Sequence, residues 1–441
     1  MKTFKLGGLH PHDHKLNAEE KSITLGLPTQ AIVFVTQHLG APSECIVAKG
    51  DKVKVGQLLT KNENFIGSTV HSPFSGTVNK IDTFYDASGY RKEAVVIDVE
   101  GDEWIETIDR SPEIKREITL SKEEIIAKVK EMGIVGLGGA CFPTQVKLMV
   151  PEGKKAEYLI INGVECEPYL TDDYRLMLER GEQCLIGVSA LRKALGVKTA
   201  YIGIESNKPK AIEHLTQLAK TFEGIEVVPL QVKYPQGAEK QLINAVTGRE
   251  VPSGKLPIDA GCVVCNIGTS FAVYEAVQKN KPLIERIVTV TGLHVDKISN
   301  FVARIGTPIS MLLEAAGGIP ANTSKVISGG PMMGKALFSL DTAVVKGMSA
   351  LLLMDESDAH RGEPTNCIRC AKCVKACPMG LEPYLMAALV ENDNFERLEH
   401  ENVMDCIECG CCLYSCPSYR PLLDCLRAGK YNVRVLQSKR K

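Results

Sequence analysis

The chain has 441 residues, 44% of them hydrophobic and 24% charged, with 52 Lys and Arg against 53 Asp and Glu for a net charge of −1. That length predicts about three domains, and the balanced charge excludes recruitment to nucleic acid or acidic lipid by bulk electrostatics. The opening "MKTFKLGGLHPHDHKL" lacks the apolar core of a secretory signal, and runs such as "SALLLM" at 349–354 fall far short of the roughly 18–20 residues of a bilayer span, so an ordinary soluble protein is expected.

Residues 1–29 read as an N-terminal segment, in which His10, His12 and His14 are expected to be solvated. Over 30–112, short β-type runs ("AIVFVTQ", "KVKVGQLLT", "EAVVIDVE") alternate with Gly, Pro and Asp turns, which predicts a small all-β domain. "KGDKVKVGQLL" and "VHSPFSGTV" resemble the two halves of a biotinyl or lipoyl carrier, a barrel-sandwich hybrid. The tip between them, "NENFIGST" at 62–69, has no lysine to modify, so its role is structural or docking.

From 113 to 281 helix and strand alternate, as in a layered α/β domain. Ser121 and Glu124 form a capping box for a helix with apolar residues at 125, 126 and 129. Strands are predicted at 157–163 and 199–205, with one long helix over 174–196 between them; "TDDY" ahead of that helix is a helix start. Cys262 and Cys265 lie on an apolar strand-like run and read as structural. Residues 282–350 predict a short α+β module of β-grasp type, and 351–441 carry cysteine runs joined by a helix, ending in a frayed "SKRK" tail. The fold class is therefore multidomain, α/β and α+β.

Of sixteen cysteines, nine fall within 367–416. In a chain without a secretory signal they indicate metal rather than disulfides. "CIRCAKCVKACP" spaces Cys367, Cys370, Cys373 and Cys377 before Pro378, and "CIECGCCLYSCP" repeats the pattern with Cys406, Cys409, Cys412 and Cys416 before Pro417. Two-residue gaps let a tight loop wrap an iron–sulfur cube, and the doubled run is that of two [4Fe–4S] clusters, three cysteines holding one cube while the fourth reaches the other. Cys411 is surplus and reads as a non-ligand.

"GLGGACFPTQVK" at 136–147 nearly spells a dinucleotide fingerprint, but it follows a helix instead of a strand and has Cys141 in place of the third glycine. The longer string resembles the flavin loop of the FMN-carrying subunit of respiratory complex I, matching at Gly136, Gly138, Gly139, Ala140 and Lys147 and departing at Leu137 and Cys141. "NGVECEP" (162–168), "QGAEKQLINAVTG" (236–248) and "CNIGTSFAVYEAV" (265–277) resemble further motifs of that family, which carry over Asn162, Glu165, Glu167, Asn266 and Thr269, with Val164 replacing an aspartate. The barrel-sandwich domain, complex I-type FMN domain, soluble-ligand-binding β-grasp (SLBB) module and helical twin-cluster ferredoxin domain follow one another as in the C-subunit family of the Rnf electron-transport complexes.

That resemblance implies an electron-transfer subunit of an ion-translocating ferredoxin:NAD oxidoreductase, with FMN and two [4Fe–4S] clusters as cofactors and NAD(H) as substrate. Hydride carries two electrons and a cube accepts one, so a flavin belongs between them. Lys147 is then expected at the FMN phosphate and Glu165 and Glu167 at the dinucleotide, with no side chain in acid–base work. The implied partners are the other subunits of the complex, membrane-embedded ones and an iron–sulfur subunit among them, and no nucleic acid; the implied place is the cytoplasmic face of the membrane, peripherally. A flavin-free iron–sulfur linker, or the diaphorase subunit of a soluble hydrogenase or formate dehydrogenase, is the alternative.

Overall fold

The computed structural model describes residues 1–440. Strand β1 (Ile23–Thr24) leaves the N-terminal segment for a distant sheet. Next come β2 (Gln30–Phe34), β3 (Glu44–Cys45), β4 (Lys52–Val53), β5 (Thr60–Lys61), β6 (Gly76–Tyr85) and β7 (Arg91–Val99). They pair antiparallel in the order β2-β7-β6-β4, with β3 beside β5. Alternate side chains, Val33, Val95 and Ile97 among them, close one core over Phe74 and Leu59, while Ile32, Phe34 and Ala94 pack on the other face.

Helix α1 (Lys122–Glu131) begins at the predicted capping box and buries Ile125 and Val129. Short α2 (Thr144–Leu148) follows the glycine loop. The central sheet is wholly parallel: β8 (Tyr158–Asn162), β9 (Thr199–Glu205), β10 (Ile225–Leu230) and β11 (Cys262–Asn266) lie in the order β10-β9-β8-β11. Helices α3 (Asp172–Glu179), α4 (Gly181–Leu195), α5 (Pro209–Ala219), α6 (Glu239–Thr247) and α7 (Ile267–Lys279) belong to this layer. The single helix predicted over 174–196 is in fact two. Arg180 leaves helical geometry at φ −132°, and at Gly181 a Cβ would come within 2.9 Å of His214, so the chain turns where α5 packs tightest.

A six-stranded sheet comes next, built from β12 (Glu285–Thr291), β13 (Ser299–Arg304), β14 (Thr323–Ser328), β15 (Lys335–Ala336) and β16 (Ala350–Asp355) with β1, and flanked by α8 (Ile309–Ala315). β16 lies between β12 and β14, its "ALLL" fully buried, so the sheet continues beyond the limit expected at 350: an apolar run sandwiched by two strands belongs to it. After α9 (Glu356–Ala359), the cysteine runs fold with α10 (Lys372–Ala376), α11 (Pro383–Glu391), α12 (Phe395–His400), α13 (Cys411–Tyr414) and α14 (Leu422–Lys439) around Leu398, Val403 and Leu426.

Two expectations for the ends are corrected. Residues 2–17 form a strap along the central domain: Lys2 and Leu9 bridge to Leu230 and Tyr234, His10 Nδ1 meets Val232 O at 3.0 Å, and His14 stacks on Tyr169 at 4.7 Å. Packing on Tyr169 removes His14 from the solvated role. At the other end, Ser438 and Lys439 continue α14 and Arg440 pairs with Glu399 at 2.7 Å, which holds the tail as far as it is described. Among the described residues no helix is long and apolar enough to cross a membrane.

Candidate functional site: a cleft at the parallel sheet and a cysteine-lined cavity

In the order β10-β9-β8-β11 the direction of winding reverses at β8, and in open parallel sheets ligands bind outside the carboxyl ends at such a point. The last residues of the two strands there are Asn162 and Asn266, register partners across the pair. All four separated motifs meet at this edge.

The glycine loop is closed by Gly136 N–H donating to Phe142 C=O at 2.9 Å. Gly138, Gly139 and Ala140 form its exposed crest. Gly138 faces Asn266, where a Cβ would lie 3.4 Å from that of the asparagine, and Gly139 has φ +117°, which L side chains rarely adopt. Cys141 keeps a left-handed conformation, φ +50°, at the position where the resembled family has glycine; its carbonyl is held by Leu39 N–H at 3.0 Å. Burial pushes its thiol up, against the nearby cations Arg286 and Lys346. Gln145 Nε2 on α2 donates to Gly67 O of the β domain at 2.8 Å, so the lysine-free tip packs behind the loop.

Thr269 is buried, and its hydroxyl accepts Leu137 N–H at 2.9 Å, which ties the loop to α7. Asn266 caps α7, its Oδ1 accepting Thr269 N–H. Asn162 spans towards Gly237, donating to its carbonyl at 2.8 Å. Lys147 Nζ donates to Glu239 Oε1 at 2.7 Å and to Val264 O at 2.9 Å. Burial pulls the Lys147 ammonium down, but Glu239 and Cys265 outweigh it and hold it above the usual lysine range. Glu239 lies within the 236–248 motif, where no local pattern marks it as the partner of a lysine in another loop.

Both glutamates are engaged by the protein itself. Glu165, with φ +48°, turns its carboxylate inwards: Oε1 accepts the N–H groups of Asp173 and Tyr174 at the start of α3, and Oε2 stands 3.6 Å from Lys15 and 3.9 Å from Lys208 with no hydrogen bond. Glu167 accepts N–H from Met332 and Met333 at 3.1 and 2.8 Å, and burial raises its carboxyl to about 7 against those bonds. "TDDY" is more than a helix start. Asp172 pairs with Arg286 at 3.0 Å and Asp173 accepts from Asn266 at 2.7 Å, buried links that no local pattern announced.

The two cysteine runs cross. Cys377, the fourth of the first run, lines one cavity together with Cys406, Cys409 and Cys412, with Pro378 and Leu426 in its apolar wall. Cys373 packs with Cys416, the fourth of the second run, while Cys367 and Cys370 are exposed. Backbone N–H groups of Leu381 and Glu408 point at the sulfurs of Cys377 and Cys406, both at 3.4 Å. Cys411 lines the same cavity and also packs with Tyr234, whose hydroxyl donates to Cys409 O at 2.8 Å.

The residues fit the expected groups. A glycine crest, amide edges and a lysine border the cleft, and five cysteines from two runs line a cavity, four of them at the spacing that a cube with one iron per thiolate needs.

Residues 129–275 match the family described as Nuo51 FMN-binding domain, 2–102 the RnfC barrel sandwich hybrid domain, 287–336 the SLBB domain and 360–417 a 4Fe-4S dicluster domain. The chain is 44% identical over 411 residues to the C subunit of the proton-translocating ferredoxin:NAD(+) oxidoreductase complex of Clostridium ljungdahlii, covering 92% of this chain and 88% of that one. It is 43% identical over 436 residues to the C subunit of the Na(+)-translocating ferredoxin:NAD(+) oxidoreductase complex of Acetobacterium woodii, covering 98% and 97%. To the C subunit of the ion-translocating oxidoreductase complex of Rhodobacter capsulatus it is 40% identical, covering 90% and 77%. Among solved structures, a chain of an NAD+-reducing [NiFe]-hydrogenase in the H2-reduced state shares the fold with a TM-score of 0.50 at 17% identity, over 69% of this chain and 63% of that one.

Proposed function

The chain belongs to the C-subunit family of ion-translocating ferredoxin:NAD(+) oxidoreductase complexes, and we propose that within such a complex it takes electron pairs from NADH, or returns them, at the cleft between β8 and β11 and passes them singly through its cysteine runs. It is an electron-transfer subunit with an FMN-binding domain and two [4Fe–4S] clusters. The observation that carries the site is the convergence of four separated stretches on the edge marked by Asn162 and Asn266. This disfavours a flavin-free linker, since such a linker has no use for a glycine crest, two paired asparagines and a lysine at one sheet edge.

FMN, when bound, supplies the exchange between two-electron and one-electron carriers. Gly136, Gly138, Gly139 and Ala140 give it close backbone approach. Asn162 and Asn266 offer amides, Thr269 fixes the loop through Leu137, and Lys147 can leave Glu239 for the phosphate. Glu165 holds α3 in place, and Glu167 ties the loop after β8 to the β-grasp sheet through Met332 and Met333. Cys377, Cys406, Cys409 and Cys412 hold one cluster and Cys367, Cys370, Cys373 and Cys416 the other. The domain limits that follow are 30–112, 113–281, 282–355 and 356–441, with 1–29 as a strap. Membrane-embedded subunits and an iron–sulfur subunit are its partners, on the cytoplasmic face.

The test is NADH-driven ferricyanide reduction by the purified chain, with its iron–sulfur centres and FMN restored anaerobically. Lys147→Ala with Asn266→Ala should lower the rate by more than about tenfold, the equivalent of one lost charge-assisted hydrogen bond. Full activity in the double variant would overturn the assignment.

A further inference from the structure

Asp173 lies at the cleft but takes no part in the transfer proposed so far. It stands in the first turn of α3, where its own N–H and that of Tyr174 donate to Glu165 Oε1 at 2.8 and 3.2 Å, so the start of the helix is pinned. Its side chain is half-buried beneath the cleft, and Oδ2 accepts from Asn266 Nδ2 at 2.7 Å. Asn266 Oδ1 is already committed to Thr269 N–H. An amide nitrogen carries two hydrogens and an ionised carboxylate can only accept, so the two bonds together fix which end of the amide is which and leave one N–H uncommitted.

We propose, building on the flavin reading, that Asp173 is a positioning residue of the flavin cleft: it holds the amide nitrogen of Asn266 and places a carboxylate beside the bound flavin, so that the flavin's midpoint potential depends on the charge at Asp173.

The surroundings make that charge responsive. Glu165 from the loop after β8 and Asp172 on the same helix face it with negative charge, Lys208 and Arg286 with positive charge, and Cys184 lies below on α4. Burial, then Glu165, raise the Asp173 carboxyl to about 7, against the hydrogen bond from Asn266 and the two cations. Electrons added to the ring put negative charge beside Asp173 and favour its protonation from solvent. By reciprocity a protonated Asp173 favours the reduced ring. The dinucleotide supplies both electrons and one hydrogen as hydride, its own C–H bond breaking as the ring takes that hydrogen, so the ring gains one negative charge; the proton that closes the Asp173 O–H bond comes from solvent.

The experiment uses the full chain with FMN and both clusters restored, and follows the flavin spectrum against applied potential at pH 6 and pH 8.5. Asp173→Asn keeps the shape and the acceptor but removes the charge. At pH 8.5 its flavin should be easier to reduce by at least about tenfold in the reduced-to-oxidised ratio, about 30 mV for a two-electron couple, and at pH 6 it should approach the unsubstituted chain. FMN affinity, read by quenching of flavin fluorescence, should fall about tenfold in Asp173→Ala, as expected for a lost bond to a charged group. Adding Asn266→Ala should then cost less than it does alone. Identical potentials for Asp173→Asn and the unsubstituted chain at both pH values would overturn the proposal, as would full additivity of the two alanine effects. If the unsubstituted chain binds no FMN, the flavin reading itself falls; if it binds FMN and Asp173→Asn changes nothing, only the role of Asp173 falls.

Discussion

Asn162 and Asn266 are separated by more than a hundred residues in the chain, yet they are register partners at the carboxyl ends of adjacent parallel strands. Asn266 Nδ2 reaches Asp173, Asn162 Nδ2 reaches Gly237, and Gly138 faces Asn266 with room for little more than a Cβ at 3.4 Å. Gly138→Val should therefore push against Asn266 and abolish retention of FMN through gel filtration, while the iron content of the chain stays unchanged. The readout is flavin released by heat per protein, beside iron per protein. Equal loss of both would mean general unfolding.

Glu167 connects the central sheet to the β-grasp sheet through the N–H groups of Met332 and Met333. The loop comes this close only because residue 330 is glycine: a Cβ there would fall 2.3 Å from Glu167 Oε2. Gly330→Ala should break both bonds and cost about 1–3 kcal/mol from the backbone donors left unpaired, seen as a lower midpoint in a denaturant titration. Glu167→Gln, which retains an acceptor oxygen, should cost less. The reverse order would show that the carboxylate charge, rather than the fit of the loop, carries the contact.

The sequence was most legible where ligand chemistry constrains consecutive residues. The cysteine spacings, the glycine crest and the capping box at Ser121 are all local patterns, and the parallel strands follow from apolar runs of strand length. Cofactors and fold class were legible through the motifs that carry them. What stayed hidden joins distant parts of the chain. His14 stacks on Tyr169, Asp172 finds Arg286, and β16 enters between β12 and β14 of a sheet that also takes β1; an exposed-looking histidine run or an aspartate at a helix start carries no mark of such a partner. The single helix expected over 174–196 is two for a similar reason: an isolated glycine does not by itself end a helical pattern, and the packing of α5 against Gly181 decides where it turns.

The crossing of the cysteine runs separates ligand from neighbour. Cys377 belongs in sequence to the first run but lines the cavity of Cys406, Cys409 and Cys412. Cys377→Ser should therefore lose the cluster of the second run, leaving iron per protein at about half, the content of one cubane of two. Cys411→Ser should retain the full iron content, since Cys411, although it lines the same cavity, falls outside the ligand spacing that the two runs share. Electron paramagnetic resonance of the reduced protein distinguishes the outcomes. Full iron in Cys377→Ser would disprove the crossed assignment.

Lys346 is the buried cation at the meeting of three segments. Its ammonium donates to Thr69 O at 2.8 Å on the β-domain tip and to Gly133 O at 2.7 Å after α1, while its own carbonyl accepts from Arg286 at 2.6 Å. Burial lowers its pKa from 10.5 to about 7, with Cys141 opposing the shift. A lysine depressed in the folded state contributes stability that is complete above its unfolded pKa and is lost as pH falls towards the folded one. Relative to Lys346→Met, the unsubstituted protein should therefore lose stability from about pH 10 down to about 7 and show a constant difference below that. Melting temperatures of both proteins at pH 6, 7, 8.5 and 10 give the comparison. A difference that is flat across the whole range would mean that the ammonium is solvated, and that the tip, the glycine loop and the β-grasp sheet are held together without it.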